Sequence, residues 1–583
     1  MPLFRQIIKG FIHNSGILLT FRIPARQCPK YTGYVLSLTS RFSSKKAKPY
    51  MLHQNLLLII SLLFAVSMLV MLGQKLRISY PIFLVIGGLI ISLIPGIPTI
   101  TIDPDLVFLI FLPPLLYEAA WYTSWQSFWK WKRPIALLGF GLVLFTSCIV
   151  AYFSSEMIPN FTLALGFLLG GIISPPDAVA ATSVLKGLKI PKRVVTILEG
   201  ESLVNDASSL IVFRFALAAV ISGTFVIEKA ATSFFLVTVM GVVIGLAVAH
   251  VFYAIHRWLP TSTNIDTALT FMAPYFMYVT AEQFHYSGVM AVVTGGLFLS
   301  YRSHEILTYN SRLQTTGAWA TVGFILNGLV FILIGLQLPV IVGGLTEYSI
   351  GVAIKYGLII SLLTILIRMI WVYPATFIPR WLNKSIRNKE KKPGFGGVFL
   401  VSWAGMRGVV SLASALSIPL ALDNGEPFPE RNLILFITFI VILVTLVFQG
   451  LTLPLIIRYM KFEEDEEGIS VEEQEAGIHM RLAQAALLTL EEKYVTETEE
   501  NELVKNLKDR LENDISLTTQ RLESLECVDI EKKEVVFNKV LIDIINVQRK
   551  ELLILRKEKA FEDELLRKQT EQLDLNEARL STK

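Results

Sequence analysis

From residue 55 to residue 458 the chain repeats one theme: an apolar segment near bilayer length, a short polar loop, and another such segment. The segments fall at roughly 55–73, 79–96, 106–121, 134–153, 162–185, 195–222, 232–254, 265–281, 287–300, 316–340, 350–379, 395–422 and 432–457. A bilayer core needs about 20 apolar residues of helix to cross it. A membrane β-barrel would instead show ~10-residue segments of alternating polarity. The expectation is therefore an all-α polytopic membrane protein with about 13 transmembrane helices. Composition agrees: 53% of residues are hydrophobic and 17% charged, against about 25% charged in soluble domains.

Loop charge orients the segments. Loops after odd-numbered segments carry eighteen Lys and Arg: Lys75, Arg77, Lys130, Lys132, Arg133, Lys186, Lys189, Lys192, Arg193, Arg257, Arg302, Arg312, Arg380, Lys384, Arg387, Lys389, Lys391 and Lys392. Loops after even-numbered segments carry two, Lys229 and Arg431. Basic residues in short loops stay cytoplasmic. The odd loops and the C-terminus are thus expected inside a cell membrane, and the segment before the first helix outside.

Residues 1–50 oppose this rule, with nine Lys and Arg and no Asp or Glu. They resemble a transit peptide in being basic and acid-free. A plainer account is a start codon chosen too far upstream, with Met51 as the true first residue. The three expected domains are this basic extension at 1–50, a transmembrane domain at 51–458, and a cytoplasmic helical tail at 459–583. The tail opens with the acidic run EEDEEG and continues with apolar residues three and four apart, the mark of amphipathic helices. Cys28, Cys148 and Cys527 have no metal-ligand spacing and suggest no disulfide framework.

Charge inside the apolar segments carries the chemistry. The stretch 199–213 reads EGESLVNDASSLIVF. A helix turns about 100° per residue, so with Glu201 at 0° Asn205 falls at about 40°, Ser209 at about 80°, Ser202 at about 100° and Asp206 at about 140°. Leu203, Val204, Ala207, Leu210 and Ile211 fall at about 180–300°. A carboxylate at the bilayer centre costs at least about 2.5–3.5 kcal/mol, so acids on one stripe must face a cavity or partners. A polar stripe that merely glues helices accounts for Ser and Asn but not for two acids.

Partners are at hand. In GGIISPPDAVAATSV (170–184), Pro175 and Pro176 remove backbone donors and break the helix just before Asp177. Broken backbone at membrane depth lines a cavity or is buried in protein. Asp177 by itself could be a helix cap. In WAGMRGVVSLASALSIP (403–419), Gly405 and Gly408 flank Arg407 and interrupt a second helix. Two interrupted segments at matching places in two halves point to a transporter site. Arg368 is a further buried cation, so Glu201 with Arg368 or Arg407 is the expected structural ion pair. Glu118, in FLIFLPPLLYEAAW, adds another acid. His250 and His256 read as packing residues rather than ligands. Oxygen ligands suit hard cations.

Together, FLPPLLYEAAW, SPPDAVAATSVLKG, LEGESLVNDASSLIVF and WAGMRGVVSLA resemble the signatures of the monovalent cation:proton antiporter-1 family, the sodium/proton exchangers, in that family's order. The resemblance implies a thirteen-helix fold with two inverted six-helix repeats and broken helices near 170–184 and 403–419. It also implies a homodimer with an elevator-like core movement, bacterial in type with a cytoplasmic helical tail. It implies that Asp206 of the Asn205–Asp206 pair carries the ion or the proton, with Na+ held at Asp206, Asp177 and Ser202. Glu201 would pair with arginine. Family members often have threonine before the aspartate of the break. This chain has Pro176, so a ligand there would be the Pro176 carbonyl. The Asn-Asp pair implies electroneutral exchange. No cofactor is expected beyond the transported Na+ and H+, and no nucleic acid partner; lipid surrounds the helices.

The rival readings are a proton-coupled carrier of another small ion or organic anion, a channel, and an intramembrane aspartyl protease using Asp177 and Asp206. The protease's Gly-x-Gly-Asp pattern is absent, since Asp206 follows Val204-Asn205. An anion carrier calls for positive charge at its site, whereas the expected core is acidic.

Overall fold

The computed structural model describes residues 49–76, 78–95, 107–185, 188, 190–223, 227–345, 348–389, 394–422, 425–460, 471–523, 528–558 and 563–581. The basic extension as far as residue 48, the loop residues Arg77, Lys186, Lys189, Lys391 and Lys392, the acidic run 463–468, Cys28 and Cys527 lie outside the described residues. Every extended element among those described is helical, apart from one isolated bridge between Ala421 and Pro427. Chain contacts divide the protein into two units, Met1–Phe462 and Glu463–Lys583.

The first unit holds α1 (Pro49–Leu76), α2 (Tyr80–Ser92), α3 (Leu112–Tyr122), α4 (Val143–Met157), α5 (Leu163–Ile173), α6 (Ala178–Leu185), α7 (Lys192–Ser222) and α8 (Ile227–Trp258). It continues with α9 (Thr263–Gln283), α10 (Gly288–Ile306), α11 (Tyr309–Leu336), α12 (Ile350–Leu382), α13 (Phe395–Trp403), α14 (Val409–Leu416), α15 (Arg431–Val444) and α16 (Gly450–Met460). Among the described residues, eight stretches are long and apolar enough to cross a membrane, the 31-residue α7 among them. Outward faces such as Leu57, Ile60, Phe64 and Met71 on α1 stay uncovered, as lipid-facing helices require.

Two apolar cores organise this unit. One joins α2, α4, α5, α6, α12, α13 and α15. The other joins α3, α9 and α10 with Ala249 and Phe252 of α8. Helix α7 belongs to both: Val204, Phe213 and Ala216 pack into the first, Leu203, Ala207 and Leu210 into the second. The helix is thus buried on two sides rather than polar on one and lipid-facing on the other.

Helix α5 ends at Ile173 and α6 begins at Ala178, since Pro175 and Pro176 cannot donate. Helix α13 ends at Trp403 and α14 begins at Val409. The two interruptions meet: the Asp177 N–H donates to the Met406 carbonyl at 2.7 Å. Regularity also lapses at a π-helical turn, Leu137–Leu142. Its freed carbonyls are taken up by side chains, Leu137 O by Trp371 Nε1 at 3.0 Å and Gly139 O by the Ser208 hydroxyl.

The second unit consists of α17 (Val471–Lys493), α18 (Glu502–Glu523), α19 (Val528–Glu558) and α20 (Asp563–Ser581), with a short helix at Val495–Glu500. Helix α17 packs on α18, and α19 on α20. Arg549 links the latter pair through Asp574 at 2.5 Å and through Glu577.

Candidate functional site

The sequence predicts one polar face on α7; the fold resolves it into two. Glu199, Ser202 and Asp206 line a cavity, while Glu201, Asn205 and Ser208 are buried in the packing behind it. On a wheel centred on Glu201, Glu199 falls at about 160°, between Asp206 and Leu203, which also lines the cavity. Glu199 is thus a cavity residue missed by assigning the acids to a single stripe, although its angle was available.

The cavity has a volume of about 420 Å³. Its walls come from α2 (Tyr80), α3 (Glu118), the first break (Pro176, Asp177), α7, α11 (Gly323, Asn327) and the start of α14 (Ser411). Among the described residues, four carboxylates line it, those of Glu118, Asp177, Glu199 and Asp206, and no Lys, Arg or His does. Asp206 is buried, and among the described residues no donor meets its carboxylate. Ser209 bonds only its backbone carbonyl, at 3.0 Å.

Asp177 caps the second half of its own broken helix: Oδ1 accepts from the N–H of Val179 at 2.8 Å and of Ala180 at 3.4 Å. Its other oxygen lies against Gly408, where any Cβ would collide with it. Ser202 Oγ accepts from the Ala178 N–H at 3.2 Å. Asn205 does not line the cavity; its Nδ2 donates to the Pro176 carbonyl at 2.9 Å. That carbonyl, expected as a cation ligand, therefore has one lone pair already engaged. The Asn205 Oδ1 is buried without a partner. Glu118 sits over Gly323 of α11, one turn before Asn327, a buried amide that the sequence reading passed over.

The two buried arginines behave differently. Arg368 meets Glu201 through two parallel bonds, Nη1–Oε1 at 2.5 Å and Nη2–Oε2 at 2.8 Å. Its Nε and Nη2 also donate to the Val401 carbonyl at 3.2 and 3.0 Å, so the guanidinium ties α7 and α12 to α13. Arg407 takes no part in that pair. Its Nε donates to the Ile173 carbonyl at 2.9 Å, and its other nitrogens reach the carbonyls of Gly405 and Ser174. These carbonyls are orphaned where the two helices break, and a guanidinium with five donors satisfies several at once. The Arg407 N–H is held in turn by Thr445 Oγ1 at 3.1 Å.

His256 is not simple packing: Nδ1 lies 2.9 Å from Asp266 Oδ1, and Ser311 Oγ donates to Asp266 Oδ2 at 2.7 Å. His250 bonds the Leu246 carbonyl and stacks on Phe298. Neither lines the cavity.

Comparison with known proteins agrees with the geometry. Residues 58–459 match the family described as sodium/hydrogen exchanger, transmembrane. An uncharacterized Na(+)/H(+) exchanger of Mycobacterium tuberculosis is 30% identical over 535 residues, which cover 90% of this chain and 96% of that protein. A sodium, potassium, lithium and rubidium/H(+) antiporter of Bacillus pumilus is 34% identical over 426 residues, covering 71% of this chain and 62% of that one. The solved sodium proton antiporter MjNhaP1 of Methanocaldococcus jannaschii superimposes with a TM-score of 0.56 at 19% identity, over 71% of this chain and 100% of that one. At that identity the likeness speaks for the fold. An acidic cavity at the crossing of two broken membrane helices, within a match that spans most of the chain, leads to one assignment. The chain belongs to the family of transmembrane sodium/hydrogen exchangers and is a transporter of cations against protons, not an enzyme.

Proposed function

We propose that the chain is a secondary antiporter in which the Asp206 carboxylate holds either a monovalent cation, Na+ first among them, or a proton. One observation carries the reading: a buried carboxylate opens on a cavity, and no described protein donor satisfies it. A proton or a hard cation supplies what the protein withholds, and the two compete for the same oxygens. Crossing empty would carry an unbalanced charge through low dielectric, whereas crossing with either partner is cheaper. Alternating access then couples the two fluxes.

In this reading Asp177 and Ser202 complete the oxygen set, Glu118 lines the approach, and Asn205 fixes the first break through Pro176. Glu201 and Arg368 act as a clamp. The full arrangement is a homodimer of thirteen-helix protomers, each with two inverted six-helix repeats, in the cell membrane with the tail in the cytoplasm. An organic-anion carrier is disfavoured by a lining that, among the described residues, has four carboxylates and no basic side chain. Vesicles carrying a pH-sensitive dye test the proposal. Added Na+, Li+, K+ or Rb+ should release an imposed proton gradient with saturation. Uptake of candidate anions with no cation response would favour the rival.

A further inference from the structure

Helix α7 extends well past the cavity. Its lining residues are Glu199, Ser202, Leu203 and Asp206, and none lies between Asp206 and the helix end at Ser222. Positions 203, 207, 210 and 214, which run from the cavity past Asp206, share one face, at spacings of four, three and four. Leu203 lines the cavity; Ala207 and Leu210 are buried in the second core with Val292 and Val293 of α10, the helix on which α7 packs. This stripe is an apolar seal, and Arg214 caps it.

Arg214 lies eight residues after Asp206, about 12 Å along the helix. Its Nη2 donates to both oxygens of Glu282, each at 2.7 Å. Glu282 stands in the last turn of α9, and its Oε1 also accepts the Gly288 N–H, the first of α10, at 3.2 Å. The acid is thus fixed to the joint of two helices that contribute nothing to the cavity lining. The base rides on the helix that carries the ion-binding carboxylate.

We infer that Arg214–Glu282 is a latch that holds shut the side of the exchanger opposite its cavity. The inference rests on the alternating-access reading above. For the cavity to open on the other side, the Leu203–Leu210 stripe must part from α10, on which α7 packs, and the ion pair anchored at the α9–α10 joint must part with it. The pair stabilises only the state in which that side is closed, so removing it shifts the population toward the other state. Because the pair is partly exposed, the shift is modest, about two- to fivefold.

The test uses the full chain with Cys28, Cys148 and Cys527 replaced by Ser, and Leu210→Cys added as a reporter. A membrane-impermeant maleimide is applied from the latch side. Arg214→Ala, Arg214→Gln and Glu282→Ala should each raise the labelling rate by about two- to fivefold. Arg214→Glu combined with Glu282→Arg should bring it back toward the parent value. Unchanged labelling in the single variants would overturn the latch. So would a rise that the exchanged pair does not reverse, which is what local packing damage produces. Labelling requires no transport, so the latch is judged separately from Asp206. Asp206→Asn in the same background, if it kept full exchange, would instead reject the ion-site reading.

Discussion

At the level of single residues, Glu201 and Asp206 stand five positions apart on α7 and have opposite needs. Glu201 is matched oxygen for nitrogen by Arg368, with both side chains sealed from solvent. A buried pair of this kind is costly to break because the surviving charge is left unpaired. Glu201→Gln should therefore destabilise the protein by about 3–5 kcal/mol, read as a large fall in thermal-shift midpoint. An unchanged midpoint would remove the clamp from the account. The sequence made a buried Glu–Arg pair necessary but left its partner open between Arg368 and Arg407. Choosing between them requires knowing where orphaned carbonyls fall, and those appear only when the two breaks are brought together. Arg214 was passed over for a similar reason. Its partner Glu282 is 68 residues away, at the joint of two other helices.

At the level of elements, the two interruptions act as a single unit. Proline and glycine spelled out where they occur, and their positions in the fold follow those signals closely. Their mutual contact, Asp177 N–H to Met406 O, could not be read from either stretch alone. Gly408 is the tightest point, since a side chain there would run into the Asp177 carboxylate. Gly408→Ala should cost about 1–3 kcal/mol of overpacking. It should slow exchange by about tenfold if that strain falls on the site, since about 1.4 kcal/mol is tenfold. Transport assays on vesicles with matched protein content check this, and wild-type rates would show that the crossing tolerates displacement. Periodicity on α7 was read as one polar face because both polar sets lie within about half the helix circumference. Only packing on two sides separates the cavity set from the clamp set.

At the level of the whole molecule, every cavity-lining residue falls within the first of the two units. Composition also changes near residue 460, where the acidic run EEDEEG opens the tail. A chain ending at Phe462 should therefore still move protons in response to cations, with any loss confined to regulation. A folded, inserted truncation with no exchange would give the tail a part in the transport step itself. What made the architecture legible was the solvent: hydrocarbon forces backbone bonds inward, so apolar length alone announces helices. What it left obscure was side-chain partnership across distant segments.

The central claim is competition between a proton and a cation for one buried carboxylate, and a single substitution addresses it. Asp206→Asn keeps the size of the side chain and removes its charge. In reconstituted vesicles, with insertion and monodispersity equal to wild type, the account predicts that Na+ no longer drives any proton movement at any tested concentration. Cation-driven proton exchange at the wild-type rate from the same variant would contradict it.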